Sequence, residues 1–150
     1  MSHATFQSPI GPIFVSASPI ALTGLRIGVP EQTDDPNPLL REAIAQLAAW
    51  FDGRLDRFDL PLAPLLSPRG EAHRAAICAI PYGDTASYGE IARQIASSPR
   101  AVGQACRRNP LPIIVPCHRV LAAAGAIGHY TGGDGITTKY WLLNHEQEKV

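Results

Sequence analysis

The chain has 150 residues, 45% of them apolar, and balances 13 Lys+Arg against 13 Asp+Glu. That is the length of one ordinary domain or two small ones, too apolar for a disordered chain, and Pro and Gly interrupt every apolar run short of the roughly 20 residues a membrane helix needs. Three scattered cysteines suggest no disulfide framework, and the start MSHATFQSPIGPIF lacks the basic-then-apolar pattern of a secretory signal, so a cytoplasmic, reducing location is expected.

In chain order, the runs GPIFVSAS (11–18) and IALTGLRIG (20–28) are short, apolar and bounded by Pro, Gly and Ser, which predicts a hairpin. The polar stretch PEQTDDPNP then leads into a helix over 39–51, where Leu40, Ile44, Leu47 and Phe51 fall three or four apart on one face. LPLAPLLSPR (60–69) holds three prolines and reads as a linker between a unit 1–64 and a unit 65–150. A helix over 71–80 follows and stops at Pro81.

Ser87 with Glu90 three residues on is a capping box, with Ile91 and Ile95 on the buried face of a short helix. Ser98-Pro99 is a second helix start, serine as N-cap and proline as first helical residue. Ala101, Val102 and Ala105 give that helix a small-residue face, and Asn109-Pro110 ends it. Two short helices joined by a tight turn, the second lined with arginines, describe a helix-turn-helix or a plain packing unit. Arg100 stands in the first turn of the second helix, where the macrodipole disfavours a cation, which suggests a task elsewhere.

Charge is unevenly spread. Residues 1–64 carry four Arg against seven acids, and residues 65–150 carry nine cations against six acids. No acid occurs from Ile91 to Gly133, whereas Arg93, Arg100, Arg107, Arg108 and Arg119 all do. Such a field attracts phosphates, although a solvated basic face has the same composition.

PIIVPCHRV (112–120) places Cys117 behind a proline and before His118 and Arg119. A free thiol, pKa about 8.5, needs a proton acceptor or positive charge to become a nucleophile. His118 is adjacent, but neighbours in extended chain point apart, so contact requires a turn or a bridging water. Asn109 and Glu146 are polar groups able to orient an imidazole. Cys78 and Cys106, on apolar helix faces, read as buried small hydrophobes. No CxxC or HxxxH spacing occurs, and residues 1–64 hold no cysteine and only His3 as histidine, so neither metal nor cofactor is expected.

Several motifs in order, SYGEIA, RAVGQA, NPLP, PCHRV, GHYTGG and WLLNHE, span Pro81 to Glu146 and resemble the O6-alkylguanine-DNA alkyltransferase family, the methylated-DNA–protein-cysteine methyltransferases. SPIGPIFVSAS and LTGLRIG resemble its opening strands more loosely. The resemblance implies an α+β chain: an N-terminal ribonuclease-H-like α/β domain (1–64) and a C-terminal winged-helix domain (65–150). It implies that Cys117 takes the alkyl group irreversibly, with His118 as base through water, Glu146 paired to it, and Asn109 beside the thiol. Tyr88 is then the tyrosine that helps rotate the nucleotide out, and Arg100 the finger that fills the vacated stack. Ala101, Arg107, Arg108 and Arg119 are expected at the DNA, and Pro112, Gly128, Tyr130 and Thr131 around the substrate pocket.

The partner so implied is double-stranded DNA containing alkylated guanine, met by a monomer, with cooperative assembly along DNA left open. The turn SSPR between the two helices is about two residues shorter than the family's usual one, and DGITT after the pocket loop is one longer. Two other readings stand beside transfer. One is a lesion-binding module or regulator without chemistry. The other is a thiol hydrolase built on Cys117, His118 and Glu146.

Overall fold

Three strands open the chain where apolar alternation predicts two. In the computed structural model, which describes residues 2–28 and 35–148, β1 (Ser2–Ser8) pairs antiparallel with β2 (Gly11–Ala17), and β2 with β3 (Leu22–Ile27). Ala4 is the buried residue of β1, too little apolar content to announce a strand; its place comes from pairing along its whole length, Ser2 opposite Ala17 to Ser8 opposite Gly11. The turn between them is closed by Ser8, whose hydroxyl donates to the Gly11 carbonyl (2.6 Å) and accepts from the Ile10 N–H (3.2 Å). Ile13, Val15 and Ala17 of β2 are fully buried.

Helix α1 (Pro38–Phe51) packs against β1 and β2. Asn37 caps it, accepting from Leu40 N–H at 2.8 Å, and Pro38 fills the first turn. Its buried face is Leu40, Ala43, Leu47 and Trp50 rather than the expected Leu40, Ile44, Leu47 and Phe51. The large indole takes the interior place, and Ile44 and Phe51 are half-buried beside it. Residues 29–34, within the polar connection before α1, lie outside the described residues.

The proline-rich stretch is not all free linker. Leu22 N–H donates to Pro61 O and Ala63 N–H to Leu22 O, which lays 61–63 along the edge of β3. The chain then divides into two compact units, Met1–Ala63 and Pro64–Val150.

The second unit is helical. Helix α2 (Pro68–Cys78) begins three residues before the expected start, because Ser67 caps Gly70 N–H and Pro68 occupies the first turn. A two-residue strand β4 (Ala86–Ser87) precedes α3 (Tyr88–Gln94), α4 (Pro99–Arg107) follows, and β5 (Val120–Leu121) runs parallel to β4. The predicted capping box is present in both directions: Glu90 N–H to Ser87 Oγ and Ser87 N–H to Glu90 Oε1, each 3.0 Å. Ser98 caps α4 through Ala101 N–H.

α3 ends with Ala96 at φ +51° and Ser97 N–H bonded to Ala92 O at 2.8 Å, a Schellman-type stop with alanine where glycine is usual. Helix α5 (Ile136–Glu148) closes the unit. Ile77, Ile91, Val102, Leu111, Ile113, Val120 and Leu142 are its interior, each burial worth about 1.5–3 kcal/mol. No described helix is long and apolar enough to cross a membrane.

Candidate active site

The loop from α4 to Cys117 stores strain close to the sulfur. Ile113, buried and β-branched, has φ +75°, a conformation such residues rarely adopt. Val115 N–H closes the loop on Leu111 O (2.8 Å), and Asn109 braces both sides. Its Oδ1 accepts from Leu111 N–H (3.0 Å), and its Nδ2 donates to Val115 O (2.9 Å). The same Nδ2 lies 3.2 Å from Cys117 Sγ, so one amide holds the loop and the thiol together. Cys117–Arg119 form a single 3-10 turn. Successive side chains in such a turn diverge by about 120°, not by the half-turn of extended chain.

Cys117 is 5% exposed. Burial pushes its thiol pKa up, while the Asn109 donor and the Lys139 ammonium pull the other way. His118 is fully buried, and its Nε2 lies 2.9 Å from Glu146 Oε2. A carboxylate only accepts, so Nε2 carries the proton and Nδ1 is the accepting nitrogen of the neutral ring. Burial lowers the His118 pKa against the opposing pull of Glu146, which keeps the imidazole neutral at neutral pH.

Glu146 is itself buried, which alone would raise its pKa, yet the His118 and Arg119 hydrogen bonds hold it at about 2. Arg119 contacts both carboxylate oxygens, Nε to Oε1 at 3.0 Å and Nη2 to Oε2 at 2.7 Å. Its Nη1 donates to Ile80 O at 2.7 Å, and the guanidinium stands over the Tyr82 ring, 5.6 Å from its centroid.

The thiol opens on a narrow pocket. Gly103, Cys106 and Arg107 of α4 form one wall, His129, Tyr130 and Thr131 the other, and Tyr88 stands beside the sulfur. The Tyr130 hydroxyl is buried with no hydrogen-bond partner among the described residues, and burial with Cys117 nearby drives its pKa well above the ordinary value. Behind the pocket lies Lys139, fully buried, its ammonium donating to Val120 O (2.7 Å) and His129 O (3.1 Å), 6.0 Å from the Tyr88 ring. Gly128 has φ +72°, and a Cβ there would come within 2.9 Å of the Tyr88 hydroxyl. Glycine is therefore required for that close approach. The ensemble is a buried thiol followed by a neutral imidazole with a fixed carboxylate, and O–H and N–H donors around a small pocket.

The ribonuclease-like domain of the 6-O-methylguanine DNA methyltransferases matches residues 1–64, and their DNA binding domain matches residues 71–148. The methylated-DNA–protein-cysteine methyltransferase of Methanosarcina acetivorans is 41% identical over 155 residues, covering 97% of this chain and 98% of that one. The protein of the same name from Mycobacterium leprae is 39% identical over 156 residues, covering 97% and 92%. The chain belongs to the methylated-DNA–protein-cysteine methyltransferase family. Mycobacterium tuberculosis OGT, in a crystal structure in complex with DNA, superposes with a TM-score of 0.87 at 41% identity, covering 100% of this chain and 95% of that one. This methyltransferase thus shares a two-part α+β fold, a small sheet domain followed by a helical one.

Of the residues singled out from the sequence, Cys117, Asn109, Tyr88, Tyr130 and Thr131 come together around the thiol and its pocket, while His118, next in the chain, pairs with Glu146 away from the pocket lining. Arg100 is exposed in the first turn of α4, and Arg108 is exposed at its end. Ala101 faces a groove between α2 and α4 on another side of the helix from the pocket. Pro112 lies in the tight loop bridged to Val115, not on the pocket wall.

Three expectations are corrected. Arg119 is 6% exposed and bound to Glu146 and Ile80, so its guanidinium is turned into this methyltransferase and not toward a phosphate. Cys78 is exposed at the end of α2, and Cys106 is half-buried on the pocket wall, where burial pushes its thiol up to about 12. Sequence reasoning missed Lys139, Cys106, Gly103 and His129. Lys139, Leu142 and Glu146 are spaced three and four apart, which puts the lysine on the face of Glu146. That spacing was the available signal.

Proposed function

We propose that this chain reverses DNA damage directly, moving an alkyl group from the O6 position of guanine in double-stranded DNA onto Cys117, once per molecule. The observation that carries the reading is the thiol at the floor of a small pocket, held by Asn109 and followed by a neutral, carboxylate-braced His118.

In this reading the Cys117 proton passes to Nδ1 of His118, through a water, and the sulfur attacks the saturated carbon. An S–C bond forms, the C–O6 bond breaks, and its electron pair stays with the purine, which takes up one proton. Tyr88, on the pocket lining with Lys139 6.0 Å from its ring, is the group assigned to supply that proton. The product is a thioether, from which no thiol returns, so turnover stops at one. Neither metal nor cofactor enters the balance.

O6 of guanine lies within the duplex, so the nucleotide leaves the stack at a cost of a few kcal/mol. Arg100, exposed at the start of α4, is the group assigned to fill the gap, and Arg107 and Arg108 to meet phosphates. The protein acts as a monomer in this account.

Incubation with a duplex carrying O6-methylguanine is expected to add one methyl to the intact mass, mapped to the peptide of Cys117. Cys117→Ser is expected to lose transfer and keep lesion binding. An unmodified Cys117 after the lesion disappears, or one molecule clearing many lesions, would overturn the proposal; turnover of an ester without modification would favour a hydrolase.

A further inference from the structure

The four residues between α3 and α4 are held from outside by α2. Arg69 donates from Nη1 to Ile95 O at 3.0 Å and from Nη2 to Ala96 O at 2.6 Å, so one guanidinium spans two consecutive carbonyls at the helix stop. His73, one turn further along α2 and 5% exposed, puts Nε2 2.9 Å from Ser97 Oγ. Its Nδ1 lies 2.8 Å from Arg69 O. A carbonyl only accepts, so Nδ1 carries a proton and, in the neutral ring, Nε2 accepts from the serine hydroxyl. Two α2 side chains therefore contact three successive residues, Ile95, Ala96 and Ser97.

This stretch has few conformations of its own to choose from. Ala96 holds a left-handed conformation disfavoured for alanine, which persists only where surroundings over-determine it. Ser98 caps α4, and Arg100 follows two residues later, exposed. A shift at 95–97 is passed through a rigid helix start to that side chain. Arg69 is bound to carbonyls and not to an acid, so it fixes the turn without removing positive charge from a face that meets phosphate.

We infer that Arg69 and His73 are positioning residues for Arg100, setting where α4 begins and hence where its first-turn arginine enters DNA. The inference rests on the finger reading of Arg100. A brace that served only the fold would act on every reaction of Cys117 alike; a brace for Arg100 acts only when the base must be extracted from a duplex.

The readout is the ratio of two transfer rates for the full chain, one with a duplex containing O6-methylguanine and one with the free O6-methylguanine base. Arg69→Ala is expected to lower that ratio by roughly tenfold to a hundredfold, the upper end being the cost of an ångström-scale misplacement. Arg69→Lys is expected to restore part of it. In the double variant with Arg100→Ala, the ratio is expected to stay within about twofold of Arg100→Ala alone, because the two share one effect. Equal losses on both substrates, or multiplying losses in the double variant, would overturn the inference.

If Arg69→Ala does not fold, Ser97→Ala replaces it: a lowered ratio supports the clamp, and an unchanged one rejects it. Should Arg100→Ala itself leave the ratio unchanged, the finger reading falls and the inference with it. Should Arg100→Ala lower the ratio while Arg69→Ala does not, only the inference falls.

Discussion

In the proposed reaction, His118 and Glu146 answer a problem that Cys117 poses. A buried thiol resists ionisation, so a base for it has to be neutral, correctly protonated and unable to drift. Glu146 fixes the Nε2–H tautomer, and Arg119 keeps Glu146 ionised. These shifts contribute to the acid stability. The Glu146 pKa falls from 4.5 to about 2 on folding, so its contribution is complete above pH 4.5 and is lost as pH falls toward 2. The buried His118 is harder to protonate folded than unfolded, which also favours unfolding as pH drops below 6.5. Glu146→Gln is expected to remove roughly 3 kcal/mol at pH 7 and to flatten the acid limb, checked by urea unfolding across pH. Tyr130 offers the opposite sign. Its hydroxyl is buried without a partner among the described residues, so Tyr130→Phe is expected to leave stability unchanged or raise it by up to about 1 kcal/mol while slowing alkyl transfer. A large loss of melting temperature would show that the hydroxyl is satisfied by the fold alone.

At the scale of elements, ends were easier to read than faces. Ser87 and Ser98 act through the backbone N–H three residues on, so the signal and its effect share one short stretch. Ser67-Pro68 carried the same signal as Ser98-Pro99 and marks the true start of α2. α5 was legible only as a motif, because its buried face includes Thr138, Lys139, His145 and Glu146 beside Leu142, and a polar interior leaves no hydrophobic period. The stop of α3 is a place where local preference is overridden. Ala96→Gly is expected to stabilise the fold by up to about 1 kcal/mol, since glycine adopts φ +51° without a Cβ clash; thermal unfolding measures it, and destabilisation would mean that the alanine methyl has a packing role.

For the whole molecule, opposite charge excesses in the two halves and the acid-free run from Ile91 to Gly133 concentrate positive potential in the second unit. Of the five arginines in that run, Arg93, Arg100, Arg107 and Arg108 are exposed and Arg119 is not. With Arg69, which keeps its charge beside the α3–α4 turn, DNA affinity is therefore expected to fall with salt on a slope no steeper than about −4.5, each neutralised phosphate adding roughly −0.9. Removing Arg107 is expected to make the slope shallower, whereas Arg119→Gln is expected to leave the slope alone and lower the melting temperature. Titration of binding over a range of salt concentrations separates the two, and a shallower slope in the Arg119 variant would return that residue to the DNA-facing surface.

Read as a string, the chain already specified the starts of α3 and α4, its two-part α+β plan and the ordered motifs around Cys117. Those depend on contacts within a few residues or on residue types the chemistry cannot replace. Which way Arg119 points, that Trp50 and not Phe51 fills the interior, that Lys139 is buried, and that Arg69 and His73 grip the turn ahead of Arg100 were decided only on folding. The reason is that burial and long-range hydrogen bonds depend on what arrives from the opposite side. Ile80 lies 39 residues from Arg119, and Ala96 lies 27 from Arg69, distances over which a local pattern carries no information.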